Sequence, residues 1–137
     1  MIGVIFGEKG AGKTKRILER ANAAVKQAKG SVVFIDDDNS YMYDLDKSIR
    51  FINAAQYGIM TPKMIYGFIC GIAAQDYDLE YLYIDGLLSF LNDHDLSTLE
   101  ELFASMKALS DKRNVNIIVS LSGTEKDLPP FMKDMVL

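Results

Sequence analysis

Short apolar runs and helical patterns alternate along this chain. Ile2-Gly3-Val4-Ile5-Phe6 reads as a strand. From about 13 to 28 the positions Ile17, Leu18, Ala21, Ala24, Val25 and Ala28 share one helical face, and Gly30 supplies a stop. Ser31-Val32-Val33-Phe34-Ile35 is a second strand, closed by Asp36-Asp37-Asp38. Beyond a polar loop carrying Tyr41 and Tyr43, Arg50-Phe51-Ile52-Asn53 is a short strand. Thr61 is then placed as an N-cap with Pro62 at the first helical position, opening a helix to about Ala74. Tyr81-Leu82-Tyr83-Ile84 is a strand ending in Asp85-Gly86. Ser97 and Glu100 have the spacing of a capping box for a helix with Leu99, Leu102, Phe103, Met106 and Leu109 on its inner face. Val115 to Leu121 is the last strand, and the pattern assigns no element to the tail from about 124, where Pro129-Pro130 falls.

Strands joined by crossover helices make an α/β chain, and the expected fold is a three-layer sandwich with a mostly parallel sheet of four to five strands. No linker, repeat or low-complexity tract divides it, so residues 1–137 read as one domain. With 49% hydrophobic residues there is material for one core and little more. In open parallel sheets, ligands lie at the carboxyl ends of the strands. That rule gathers four polar segments at one edge: the loop after Phe6, Asp36 to Asp38, Asp85, and Ser120 to Gly123.

The loop is the most specific of the four. Gly7-Glu8-Lys9-Gly10-Ala11-Gly12-Lys13-Thr14 is a complete G-x-x-x-x-G-K-[ST] phosphate loop between a strand and a helix, which makes this a phosphate-loop NTPase fold. Its glycines let the backbone curl so that N–H groups converge on phosphate oxygens, and the helix adds the positive end of its dipole. Residues Gly7 to Lys15 are therefore the expected nucleotide-binding segment. Lys13 is placed to reach the β and γ phosphates, and the Thr14 hydroxyl to ligate Mg²⁺. Asp85, after an apolar strand, is placed as the second holder of Mg²⁺ opposite Thr14. Gly86 follows it where many such ATPases carry a glutamate.

Charge and cysteine usage narrow the setting. A net charge of −4 gives no broad electrostatic grip on nucleic acid, which needs clustered Lys and Arg. The single cysteine, Cys70, has no disulfide partner in the chain and reads as a buried small hydrophobe, suiting a reducing compartment. The start Met1-Ile2-Gly3-Val4 has no basic leader region and no run reaches the length of a membrane span, so the expectation is a soluble cytoplasmic protein without a membrane partner. His94, the only histidine, falls in a polar turn and reads as solvated.

Over about residues 1 to 123 the order of elements resembles the RecA-like ATPase core. That family's second strand ends in Phe-Ile-Asp-x-Glu, and Phe34-Ile35-Asp36-Asp37-Asp38 is similar, with Asp38 where the water-activating glutamate stands. Leu82-Tyr83-Ile84-Asp85-Gly86 resembles the family's apolar strand ending in Asp and a small residue. Ile117-Ile118-Val119-Ser120-Leu121-Ser122 puts Ser122 at the γ-phosphate sensor, usually Gln. The resemblance thus implies Mg²⁺ and ATP as ligands, with Lys13, Asp38 and Ser122 as the catalytic set. Aspartate is one methylene shorter than glutamate, and serine cannot span what glutamine spans. Slow or partner-stimulated hydrolysis is the first expectation, and a nucleotide-dependent switch without useful catalysis is the alternative. In a lower-ranked third, a small-molecule or nucleoside kinase, Asp37 or Asp38 serves as base toward a substrate hydroxyl. The Asn-Lys-x-Asp guanine reader is absent, which favours ATP over GTP. Tyr41 or Tyr43 is either a stacking platform for the base or an ordinary exposed tyrosine. No arginine finger is evident within the chain, and sites of this type often lie between subunits. Arg113, Lys112 or Lys126 of a neighbouring copy, or a protein partner, is the candidate source of that charge.

Overall fold

The computed structural model describes residues 1–91, 93 and 95–137, so the reading of His94 lies outside the described residues. Five strands pair in one all-parallel sheet: β1 (Ile2–Gly7), β2 (Ser31–Asp36), β3 (Arg50–Asn53), β4 (Leu79–Ile84) and β5 (Asn116–Ser122). Their spatial order is β1-β5-β4-β2-β3. One strand therefore separates β1, which leads into the phosphate loop, from β4, which leads into Asp85. At about 4.8 Å per strand, that interval is about 10 Å. Register aligns the strand ends, since Gly7 pairs with Ser122, Ile84 with Val119, and Ile35 with Ile84.

Among the described residues four α-helices cover the faces: α1 (Lys13–Val25), α2 (Pro62–Gln75), α3 (Leu87–Leu91) and α4 (Glu100–Arg113). Successive strand residues point to opposite faces. Ile5, Phe34, Tyr83 and Ile118 pack with Ile17, Ala21 and Ala24 of α1 on one side. Their neighbours Val4, Ile35, Ile84 and Val119 pack with α2, α3 and α4 on the other, through Ile65, Leu87, Phe103 and Met106. This is the expected three-layer α/β fold. Among the described residues no helix is long and apolar enough to cross a membrane.

Several local expectations need correction. The first helix stops at Val25, where Lys26 N–H turns back to the Ala23 carbonyl at 3.2 Å, and Ala28 packs on the core from beyond it. Gly30 has a different job: a Cβ there would stand 1.9 Å from the Asp78 carbonyl oxygen, so only glycine lets the two chain segments cross. Ser97 does not cap α4. It lies in a 3-10 turn over Leu96–Leu99, and its hydroxyl donates to the Asp95 carboxylate at 2.7 Å. Thr61 does cap α2, accepting from Met64 N–H at 3.2 Å. Cys70 is only half-buried, because it sits one residue round α2 from the inward-facing Ile69.

The tail also finds a place. After 3-10 turns at Glu125–Asp127 and Pro130–Met135, Val136 bridges Val4 in parallel and Leu137 N–H donates to the Val4 carbonyl at 2.8 Å. It covers the side of β1 that β5 leaves open.

Candidate functional site

The loop between β1 and α1 takes its shape from Gly10 and Gly12, at φ 86° and 84°. A Cβ on either would meet nothing within 4 Å, so the requirement for glycine is conformational and not steric. Gly12 stands at the amino end of α1, whose first turn holds no acidic side chain. The positive end of that 13-residue helix is left for an anion. Lys13 Nζ rests on the Glu8 carbonyl at 2.8 Å. Partial burial pulls the Lys13 pKa below the usual lysine value, and the charge of Asp85 works against that shift.

Asp85 is the fixed point of the site. It is buried, its N–H donates to the Ile35 carbonyl at 2.8 Å, and its carboxylate accepts two hydroxyls. Thr14 Oγ1 donates to Oδ2 at 3.1 Å, and Ser120 Oγ donates to Oδ1. Ser120 lies on β5 and spans the interval between the loop strand and the Asp85 strand. Gly86 then turns the chain at φ 72°. A Cβ on Gly86 would lie 2.8 Å from the Asp37 carboxyl carbon, so any side chain after Asp85 would have to displace the Asp37 carboxyl.

The end of β2 supplies three more carboxylates. Asp36 is only 2% exposed; its Oδ1 accepts from Asp37 N–H at 2.7 Å, and its Oδ2 is buried with no hydrogen-bond partner among the described residues. Burial, together with the neighbouring carboxylates of Asp37 and Asp85, pushes the Asp36 pKa up to about 8. Asp37 is half-buried, while Asp38 is exposed and accepts from Ser40 N–H at 2.8 Å.

These groups line one cleft of about 530 Å³, a volume suited to a small ligand. The structure brings Lys9, Gly10, Gly12, Lys13, Thr14, Asp38, Asp85 and Ser122 together around it, with Tyr41 at one wall. Gly7, Glu8 and Ala11 belong to the loop but do not line the cleft, and Lys15 lines an adjoining groove. Tyr43 is 90% exposed and lies outside the cleft. Sequence reasoning gathered Ser120 and Asp36 among the strand-end polar segments but gave neither a role of its own. Strand alternation puts Ser120 on the same face as Ser122, a signal that was available, but the burial of Asp36 depends on strand order.

Arg113 lies at the other end of β5. Its guanidinium donates to the Ala73 carbonyl at 2.9 Å and sits 4.9 Å from the centre of the Tyr77 ring. Lys126, in the turn that follows β5, is exposed at the cleft end of the sheet.

The Thr14 hydroxyl and the buried Asp85 carboxylate are oxygen donors that fit a hard divalent ion such as Mg²⁺. Thr14 and Asp85 would hold it.

Sheet order and the helices on both faces define a three-layer α/β fold built on an all-parallel sheet. Among solved structures, the chain is similar to the flagellar accessory protein FlaH from Methanocaldococcus jannaschii, with a TM-score of 0.64 and 15% identity. The match covers 96% of this chain and 64% of that one, so this chain spans less than two thirds of its structural neighbour. At such identity the likeness is one of fold. No protein-family model matches the chain, and no curated protein matches it.

Proposed function

We propose that this chain binds Mg·ATP in the cleft at the carboxyl ends of its strands and hydrolyses it slowly, or faster when a partner completes the site. The observation that carries the reading is the 3.1 Å hydrogen bond between Thr14 and Asp85. It joins two short motifs far apart in sequence.

Each residue then has a task. The loop N–H groups and the amino end of α1 hold the phosphates. Lys13 exchanges the Glu8 carbonyl for a β or γ phosphate oxygen. Thr14 and Asp85 hold Mg²⁺, which supplies neutralisation of the triphosphate charge and fixes its geometry. Ser120 keeps the Asp85 carboxylate turned toward the ion. Asp38 orients the attacking water, Ser122 faces the γ-phosphate, and Tyr41 gives the adenine a ring to stack on.

The same residues explain why turnover is slow. Asp38 is short and exposed, and among the described residues the cations lining the cleft are Lys9 and Lys13, with no arginine. An arginine finger therefore comes from a second copy or another protein. Arg113 is already occupied at the far end of the sheet, which favours a different donor. Cytoplasm, where Mg·ATP is plentiful, is the setting that goes with this activity.

A second reading, a nucleotide-dependent switch without useful catalysis, is favoured by one feature: Gly86 takes the place of an acid and Asp37 fills the space beside it. Phosphate release measured with and without Mg²⁺, for wild type and Lys13→Ala, separates the two. Mg²⁺-dependent release lost in the variant supports an ATPase. Equal rates in all four samples refute turnover, and tight ATP binding without release supports the switch.

A further inference from the structure

Asp36, Asp37 and Asp38 close β2 in succession, and one carboxylate oxygen of each lies within 4.8 Å of the others. Acidic runs at strand ends are ordinary on a surface. Here the first member is interior, 2% exposed, with Oδ2 buried and unpartnered among the described residues. A buried carboxylate oxygen without a hydrogen-bond partner is accommodated either neutral, with a proton, or charged beside a cation.

The surroundings deepen that deficit. Asp37 is packed against the Gly86 turn, its carboxyl carbon 2.8 Å from the place of a Gly86 Cβ. Asp85 brings a fourth carboxylate to the cleft, against two lysines, Lys9 and Lys13. Lys13 Nζ is held by the Glu8 carbonyl. A proton or a metal ion from solution is what offsets the remaining negative charge.

We infer that Asp36, Asp37 and Asp38 together hold a divalent cation of their own, distinct from the ion proposed at Thr14 and Asp85. Three carboxylate oxygens and no sulfur or nitrogen suit a hard ion such as Mg²⁺ or Mn²⁺, with water completing the shell on the exposed Asp38 side. Asp36 anchors the ion from inside. Burial disfavours the bare Asp36 carboxylate, and a bound cation reverses that preference. Such an ion would also shield an arriving triphosphate from the β2 acids. It requires no nucleotide, so the inference stands apart from the ATP reading.

Titrating Mn²⁺ into the nucleotide-free chain, followed by electron paramagnetic resonance, tests it. Wild type is expected to take up an ion without nucleotide, and Thr14→Ala to retain it. Asp37→Asn and Asp38→Ala should weaken uptake roughly tenfold or more while circular dichroism stays unchanged. The exposed Asp38→Ala keeps the test valid if a more interior variant fails to fold. Absence of Mn²⁺ uptake by the wild type up to millimolar concentration overturns the inference, leaving a proton shared by Asp36 and Asp37 as the compensating charge. Uptake lost in Thr14→Ala but intact in Asp37→Asn also overturns it, because the ion would then belong to the loop.

Discussion

Thr14 and Asp85 are 71 residues apart in the chain, yet the threonine hydroxyl donates to the aspartate carboxylate at 3.1 Å. Three parallel strands make this contact, because β5 sets the spacing between β1 and β4 and Ser120 holds the other carboxylate oxygen. If the pair holds Mg²⁺, Thr14→Ala should lower affinity for Mg·ATP roughly tenfold, about 1.4 kcal/mol, and leave affinity for metal-free ATP near wild type. Thr14→Ser, which keeps the hydroxyl, should restore it. Competition binding with and without chelator measures both.

Asp36 ties stability to pH. Its pKa of about 8 in the folded chain stands far above the 3.8 of an ordinary aspartate, so the folded state holds a proton that the unfolded chain releases. Unfolding therefore releases a proton between about pH 4 and 8, and stability falls as pH rises through that window before levelling off above it. The slope contributed by Asp36 is at most about 1.4 kcal/mol per pH unit. Urea unfolding in metal-free buffer at a series of pH values should show the decline, and Asp36→Asn should flatten it. Equal slopes in the two proteins would mean that Asp36 is ionised in the folded state.

Gly86 is placed by two constraints at once, a backbone at φ 72° and the Asp37 carboxyl at 2.8 Å from any Cβ. Gly86→Ala should cost about 1–2 kcal/mol for the left-handed conformation alone, and more for displacing Asp37. Gly10→Ala carries the same left-handed strain at φ 86° but meets no side chain, so its stability loss should be the smaller of the two in chemical denaturation.

Arg113 separates a structural cation from a catalytic one. Removing its hydrogen bond to Ala73 and its contact with Tyr77 should cost about 1–2 kcal/mol of stability. Mg·ATP affinity and turnover of Arg113→Ala should match wild type at every protein concentration. A turnover defect that appears only at high concentration would instead mark Arg113 as a residue donated between copies.

Much of this architecture could be read from periodicity and punctuation. Alternating apolar strands and helices gave the α/β class, Thr61-Pro62 gave the start of α2, and the strand-end rule gathered the segments that now line one cleft. What escaped depended on neighbours distant in sequence. Gly30 has the appearance of a helix stop, and only the Asp78 carbonyl beside it reveals a crossing of chain segments. Leu87–Leu91 is too short for helical periodicity to register. Asp36 and Asp38 look alike in sequence, but strand pairing buries the first and leaves the second in solvent. The tail has no pattern of its own because its backbone partner is Val4 at the opposite end of the chain.

The central claim, that this cleft holds Mg·ATP, is tested most directly by isothermal titration of ATP into the wild-type chain and Lys13→Ala in the presence of Mg²⁺. The account predicts saturable uptake at one site by the wild type, and a loss of about tenfold or more in the variant as the lysine contact to phosphate disappears. Absence of uptake by the folded wild type, or equal affinity in the two proteins, would contradict it.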